Sequence, residues 1–183
     1  MHTSNKPSLW VTKCSKLLQV ESKVLDLACG SGRHARYLAD RGHFVTAVDK
    51  DIESLTDCDT INRINVIEFD LEVGAWPFSE DKFDGIIVTN YLHRPTMPHI
   101  VEGLSDSGVL IYETFMVGNE SFGRPSNPDF LLRTNELIDV VREKLQVVMY
   151  EAGPVMLPKP AYVQRICAVS RDYKFGERRL PDK

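Results

Sequence analysis

The chain has 183 residues, enough for one domain with a continuous core and too few for a second full domain. Hydrophobic residues at 43% and charged residues at 26% exclude a disordered or collagen-like chain. A net charge of −4, with basic residues scattered except for Arg178-Arg179, leaves no positive stripe for a phosphate backbone, so nucleic acid is not expected as a partner.

The first residues, Met-His-Thr-Ser-Asn-Lys-Pro, lack the basic head and apolar stretch of a secretion signal, and no apolar run reaches the roughly 18 residues of a membrane span. The expectation is a cytoplasmic protein without a membrane partner. Cys14, Cys29, Cys58 and Cys167 lack the close pairing of zinc ligands, which predicts free thiols and no metal. The organisation expected is an N-terminal segment over residues 1–22, a domain over 23–171 and a tail over 172–183. Trp10, Leu17 and Leu18 make the first segment a candidate helix lying over the site.

Lys23 to Ala28 is a short apolar run that suits a strand buried on both faces of a parallel sheet. After Gly30-Ser31-Gly32, Arg33 to Arg41 has helix-forming composition, with Gly42 as its C-terminal stop. The alternation repeats: Phe44 to Val48 reads as a strand, Ile52 to Ile61 as a helix and Ile64 to Phe69 as a strand. Next come Phe83 to Val88 as a strand, Pro98 to Leu104 as a short helix and Val109 to Tyr112 as a strand. Thr134 reads as an N-cap for an amphipathic helix carrying Leu137, Ile138, Val141 and Leu145. Gln146 to Tyr150 and Tyr162 to Val169, joined without a helical pattern, predict an antiparallel pair. The fold expected is α/β, a Rossmann-like, doubly wound, seven-stranded sheet, mostly parallel with an antiparallel last strand.

In such a sheet ligands bind at the carboxyl ends of the strands, where the winding reverses beside the first strand. The turn there is Asp26-Leu27-Ala28-Cys29-Gly30-Ser31-Gly32, in which glycines permit close backbone approach and helix amides favour an anion. A dinucleotide fingerprint wants glycine where this chain has Ala28, Gly30 and Arg33, so two of its three positions fail. Asp49 ends the second strand, where a carboxylate accepts hydrogen bonds from both ribose hydroxyls, and Asp70 with Leu71 ends the third, where both can meet adenine.

Val24 to Gly32, Ala47-Val48-Asp49 and Phe69-Asp70-Leu71 together resemble the S-adenosylmethionine-binding motifs of class I methyltransferases, and Asp81 to Val88 resembles the same family's fourth strand. Cys29 to His34 followed by Tyr37-Leu38-Ala39 is similar to tellurite-resistance-type methyltransferases. The resemblance implies S-adenosylmethionine as cofactor, with Asp26, Ala28, Cys29, Gly30 and Gly32 along the methionyl part and Asn90 near its amino group. It implies Asp49 on the ribose and Asp70 with Leu71 on adenine, and His34 is a further candidate contact. Lys50 stands where an apolar residue often stacks on adenine, with Ile52 as a substitute.

For the chemistry, Thr89 to Pro95 leaves the fourth strand at the cofactor face and offers His93 as a base or acceptor-positioning group, with Tyr91 beside it. A histidine bonded to neighbouring backbone is the structural alternative. Tyr112 to Phe115 ends the fifth strand and opens a long irregular stretch over Met116 to Pro128, where Phe115 and Phe122 can exclude water. Its Arg124 can hold an anionic acceptor or pair with Glu120 or Asp129. The expected reaction is methyl transfer to a small polar or anionic molecule. A nicotinamide-dependent oxidoreductase and a non-catalytic adenosylmethionine-binding module are the rival readings. Neither the acceptor nor the oligomeric state is written in the sequence.

Overall fold

The computed structural model describes residues 6–55, 58 and 61–176. Its centre is one seven-stranded sheet of β1 (Lys23–Leu27), β2 (Phe44–Asp49), β3 (Ile64–Glu68), β4 (Phe83–Thr89), β5 (Leu104–Phe115), β6 (Leu145–Val155) and β7 (Ala161–Ser170), in the order β3-β2-β1-β4-β5-β7-β6. β7 is antiparallel to both β5 and β6, while the pairs from β3 through β5 are parallel. The expected mixed sheet is therefore present, and its winding reverses between β1 and β4.

Each face of the sheet carries its own core. Val24, Ala47, Ile87, Val109, Ile111 and Val169 pack beneath α1 (Leu9–Cys14) and α2 (Arg33–Ala39). Leu25, Leu27, Val48, Ile86, Val88 and Leu110 pack beneath α3 (Met97–Glu102) and α4 (Glu136–Val141). Adjacent residues of one strand feed opposite cores, which is why the central strands read as near-continuous apolar runs, interrupted in β1 by the buried Asp26. Among the described residues, no helix is long and apolar enough to cross a membrane.

Four expectations need correction. The described part of the predicted Ile52 to Ile61 helix is a 3-10 turn over Glu53–Leu55, and residues 56, 57, 59 and 60 lie outside the described set. Asp49 Oδ1 accepts the Asp51 amide and Asp51 Oδ1 accepts the Glu53 amide, both at 3.1 Å, and the Leu55 amide donates to the Ile52 carbonyl at 2.9 Å, the three-residue span of a 3-10 turn. Thr134 does not cap α4; Asn135 stands at the cap with φ +61° and no side-chain bond, while Glu136 Oε2 accepts the Arg133 amide at 2.7 Å. Leu145 belongs to β6, outside that helix. β5 is longer than Val109 to Tyr112, because Leu104 already pairs with Phe83 before an irregularity shifts the register.

In the N-terminal segment α1 is followed by a 3-10 turn over Ser15–Leu17, and Trp10, Leu17 and Leu18 are buried. The segment lies on the α2 face of the sheet. The Trp10 indole donates to the Ile166 carbonyl at 3.3 Å, and the Tyr173 hydroxyl donates to the Leu17 carbonyl at 2.6 Å.

Candidate functional site

The strand ladders continue past the strand ends, and this brings the site residues together. The Cys29 amide donates to the Val48 carbonyl at 3.0 Å, the Phe69 amide to the Asp49 carbonyl at 2.9 Å and the Asn90 amide to the Glu113 carbonyl at 2.9 Å. Each bond fixes a residue one or two positions beyond a strand against the neighbouring strand. The residues that follow β1, β2, β3 and β4 thus open along one rim.

A cleft of two chambers occupies that rim. The first, about 260 Å³, is lined by Ala28, Asp49, Lys50, Phe69, Asp70, Leu71, Glu72, Asn90 and Tyr91. The second, about 280 Å³, is lined by Leu92, Phe115, Pro125 and Phe130, and it shares Glu72, Asn90 and Tyr91 with the first. Of the residues singled out from the sequence, the first chamber gathers Ala28, Asp49, Lys50, Asp70, Leu71, Asn90 and Tyr91.

The turn itself is held by backbone geometry. Ala28, Gly30 and Gly32 all have positive φ, at +50°, +54° and +70°, and the Gly32 amide donates to the Cys29 carbonyl at 3.0 Å. Nothing stands within 4 Å of a Cβ built on Gly30, whereas one on Gly32 would meet Leu55 Cδ2 at 2.5 Å and Cys58 Sγ at 2.9 Å. Gly30 therefore faces open space and Gly32 faces packing. The Gly30 amide donates to Asp49 Oδ2 at 2.7 Å, tying the glycine turn to the acid of the next strand.

Other candidates lie behind the cleft wall. Cys29 is buried, and burial raises its thiol pKa. Asp26 is buried on the α2 side of β1 with no side-chain partner, and burial raises its pKa to about 7 against the pull of the Ala35 amide and Arg33. His34 is buried; its Nε2 accepts the Ser8 amide at 3.1 Å, and the Thr89 hydroxyl stands 3.5 Å from Nδ1. Burial and the Arg33 charge hold its pKa down at about 3, so it is a neutral ring that anchors the N-terminal segment. Ser8 also donates from its hydroxyl to Glu113 Oε1 at 2.7 Å, and Glu113 Oε2 lies 2.5 Å from Arg165 Nε. Neither Glu113 nor Arg165 carries a sequence motif.

On the acceptor side the proposed trio divides. Tyr91 lines both chambers, its hydroxyl buried beside Thr96, and burial followed by the Glu72 charge raises its pKa to about 12. His93 lines neither chamber; its carbonyl accepts the Thr96 amide and hydroxyl at 3.1 and 2.8 Å. Arg124 is exposed on its loop, lines neither chamber and makes no ion pair with Glu120 or Asp129. Phe122 stacks on Tyr162 with ring centroids 5.6 Å apart. Glu72, Leu92, Pro125 and Phe130 were not singled out from the sequence, since each sits in a loop whose path only the fold determines.

A salt bridge fixes the far wall. Arg94 pairs through Nε with Glu136 Oε1 at 2.7 Å and through a terminal nitrogen with Oε2 at 3.0 Å. The same guanidinium donates to the Asp129 and Leu131 carbonyls, both at 2.9 Å, on either side of Phe130.

Residues 24–107 match the family model described as "Methyltransferase domain". Among solved structures the chain is similar to TehB from Haemophilus influenzae, at 21% identity and TM-score 0.69 over 88% of this chain, and it spans 61% of that one. It is similar to the 1,6-didemethyltoxoflavin-N1-methyltransferase of Burkholderia thailandensis, at 18% identity and TM-score 0.64, covering 88% of this chain and 78% of the other. The N-methyltransferase NodS of Bradyrhizobium japonicum WM9, solved with S-adenosyl-L-homocysteine, gives 16% identity and TM-score 0.65 over 88% and 85%. No curated protein matches the chain in sequence.

Proposed function

We propose that the chain is a class I, S-adenosylmethionine-dependent methyltransferase that moves the cofactor's methyl group to a small polar molecule held in the second chamber. The single observation that carries this reading is the cleft itself, two chambers with Glu72, Asn90 and Tyr91 as their common boundary. An adenosyl group needs hydroxyl acceptors and flat apolar walls. Asp49, with two amide contacts and oxygen lone pairs to spare, supplies the first, and Phe69 with Leu71 supplies the second.

In this reading Asp49 holds the ribose, Asp70 with the Leu71 amide meets adenine, and Ala28, Gly30 and Asn90 border the methionyl part. Lys50 takes the rim of the adenine side. Asp26, Cys29, Gly32 and His34 shape the turn from behind. When bound, the cofactor supplies an electrophilic methyl carbon on a positively charged sulfur. The protein's part is to hold an acceptor in line with that carbon, a contribution that needs no general base when the acceptor nitrogen or oxygen is already unprotonated. Tyr91 borders the acceptor as a wall shared by both chambers, and its buried hydroxyl keeps its proton at neutral pH. An anionic acceptor loses its support, since Arg124 stands away from both chambers.

Purified protein incubated with S-adenosylmethionine and a panel of small molecules should form S-adenosylhomocysteine. Turnover that required protein or nucleic acid would reject the small-acceptor reading.

A further inference from the structure

The second chamber has an unusual composition for a polar substrate. Its walls are Tyr91, Leu92, Phe115, Pro125 and Phe130, and its one charged lining group is the Glu72 carboxylate. No cation lines it among the described residues. Arg94, two residues beyond the lining Leu92, spends its donors on Glu136, Asp129 and Leu131. A volume of about 280 Å³ lies at the small end of ligand clefts, suited to a molecule of one or two rings.

Resting on the methyl-transfer reading, we propose that the acceptor is a small aromatic nitrogen base whose ring sits among Phe115, Pro125 and Phe130 and whose uncharged nitrogen takes the methyl at the Tyr91–Glu72 boundary. Aromatic walls favour a flat ring by edge and face contacts. They favour it more as positive charge develops on it, because the faces of Tyr91, Phe115 and Phe130 are electron-rich. The nitrogen lone pair forms the new N–CH3 bond while the S–CH3 bond breaks and leaves its pair on sulfur. The positive charge passes from sulfur to nitrogen, beside Glu72. A pyridine-like nitrogen keeps that charge; an amine nitrogen releases its extra proton to water at the solvent-exposed Glu72 rim. An anion at the same place would meet a carboxylate and no compensating cation.

Three probes of similar size separate ring from charge: isoquinoline, the uncharged saturated bicycle 2-decalone, and 1-naphthoate. Binding to the full chain saturated with S-adenosylhomocysteine is followed by calorimetry, and methyl transfer from S-adenosylmethionine by mass spectrometry. Isoquinoline should bind about tenfold or more tightly than either other probe, as expected for a cation-tolerant aromatic site, and should be recovered with one added methyl. Phe130→Ala, at a half-exposed position where folding is not at stake, should abolish most of that preference while S-adenosylhomocysteine binds as before. If the protein binds S-adenosylhomocysteine but prefers 1-naphthoate or shows no preference, the aromatic-base assignment is wrong and the methyltransferase reading stands. If it does not bind S-adenosylhomocysteine, both fall together.

Discussion

The Gly30 amide and the Asp49 carboxylate meet at 2.7 Å, so the acid that faces the cleft also holds the glycine turn in place. Its other oxygen accepts the Asp51 amide, which starts the turn after β2. Asp49→Ala therefore leaves two amides without acceptors and should lower folding stability by about 1 kcal/mol, because both amides regain only solvent. Urea denaturation of the unliganded protein measures this, and an unchanged midpoint would show that the turn does not depend on Asp49.

Asp26 and His34 should oppose each other in the pH dependence of stability. Asp26 rises from 3.8 to about 7 on folding, so its contribution is full below about pH 4 and is lost as pH climbs through 7. His34 falls from 6.5 to about 3, so its contribution is full above pH 6.5 and is lost as pH drops toward 3. Between about pH 4 and 6.5 the two slopes, each up to about 1.4 kcal/mol per pH unit, cancel. Asp26→Asn should leave stability rising with pH across that window, and His34→Asn should leave it falling. Parallel profiles for both variants and the parent would refute the assignment.

Ala28 occupies the left-handed region at φ +50°, where a Cβ costs roughly 1 to 2 kcal/mol. Glycine removes that strain but gains freedom in the unfolded chain, so Ala28→Gly should stabilise the fold by about 0.5 kcal/mol net. A loss of thermal stability in this variant would mean that the Ala28 methyl makes packing contacts worth more than the strain.

The sheet was legible because its central strands are buried on both faces, and Val24 to Leu27 or Ile86 to Val88 have no other use for their apolar runs. The acids Asp49 and Asp70 were legible because a strand end followed by a turn places them on the carboxyl rim. The positions of His93 and Arg124 were not legible in the same way: residue type marked them as chemical, and only tertiary geometry shows that the His93 carbonyl accepts from Thr96 and that Arg124 is exposed on its loop. Phe130, an ordinary aromatic in a loop, reaches the cleft because Arg94 grips the carbonyls on both sides of it. Such long-range bonds have no local sequence signature.

Arg94→Lys keeps the charge but loses the planar fork that spans Glu136 and two carbonyls. The wall carrying Phe130 should loosen, raising the acceptor KM by roughly three- to tenfold, about 1 kcal/mol of binding, with S-adenosylhomocysteine affinity unchanged. Steady-state kinetics with saturating cofactor reads this split. An equal loss of cofactor affinity would show that the clamp supports the whole cleft.

His93→Ala should keep most of its turnover, since the ring lines neither chamber, whereas Tyr91→Ala should lose on the order of tenfold as the acceptor loses the wall that both chambers share. A collapse of activity in His93→Ala, with cofactor binding intact, would return the histidine to the reaction.

The most direct test is calorimetric titration of S-adenosylhomocysteine into the folded parent chain and into Asp49→Ala. The parent should saturate at one site per chain, and the variant should bind more weakly by about 1 to 3 kcal/mol, the worth of two ribose hydroxyl bonds to a partly buried carboxylate. No heat from the parent, or equal affinity in the two proteins, would contradict an adenosyl pocket at the ends of β1, β2 and β3.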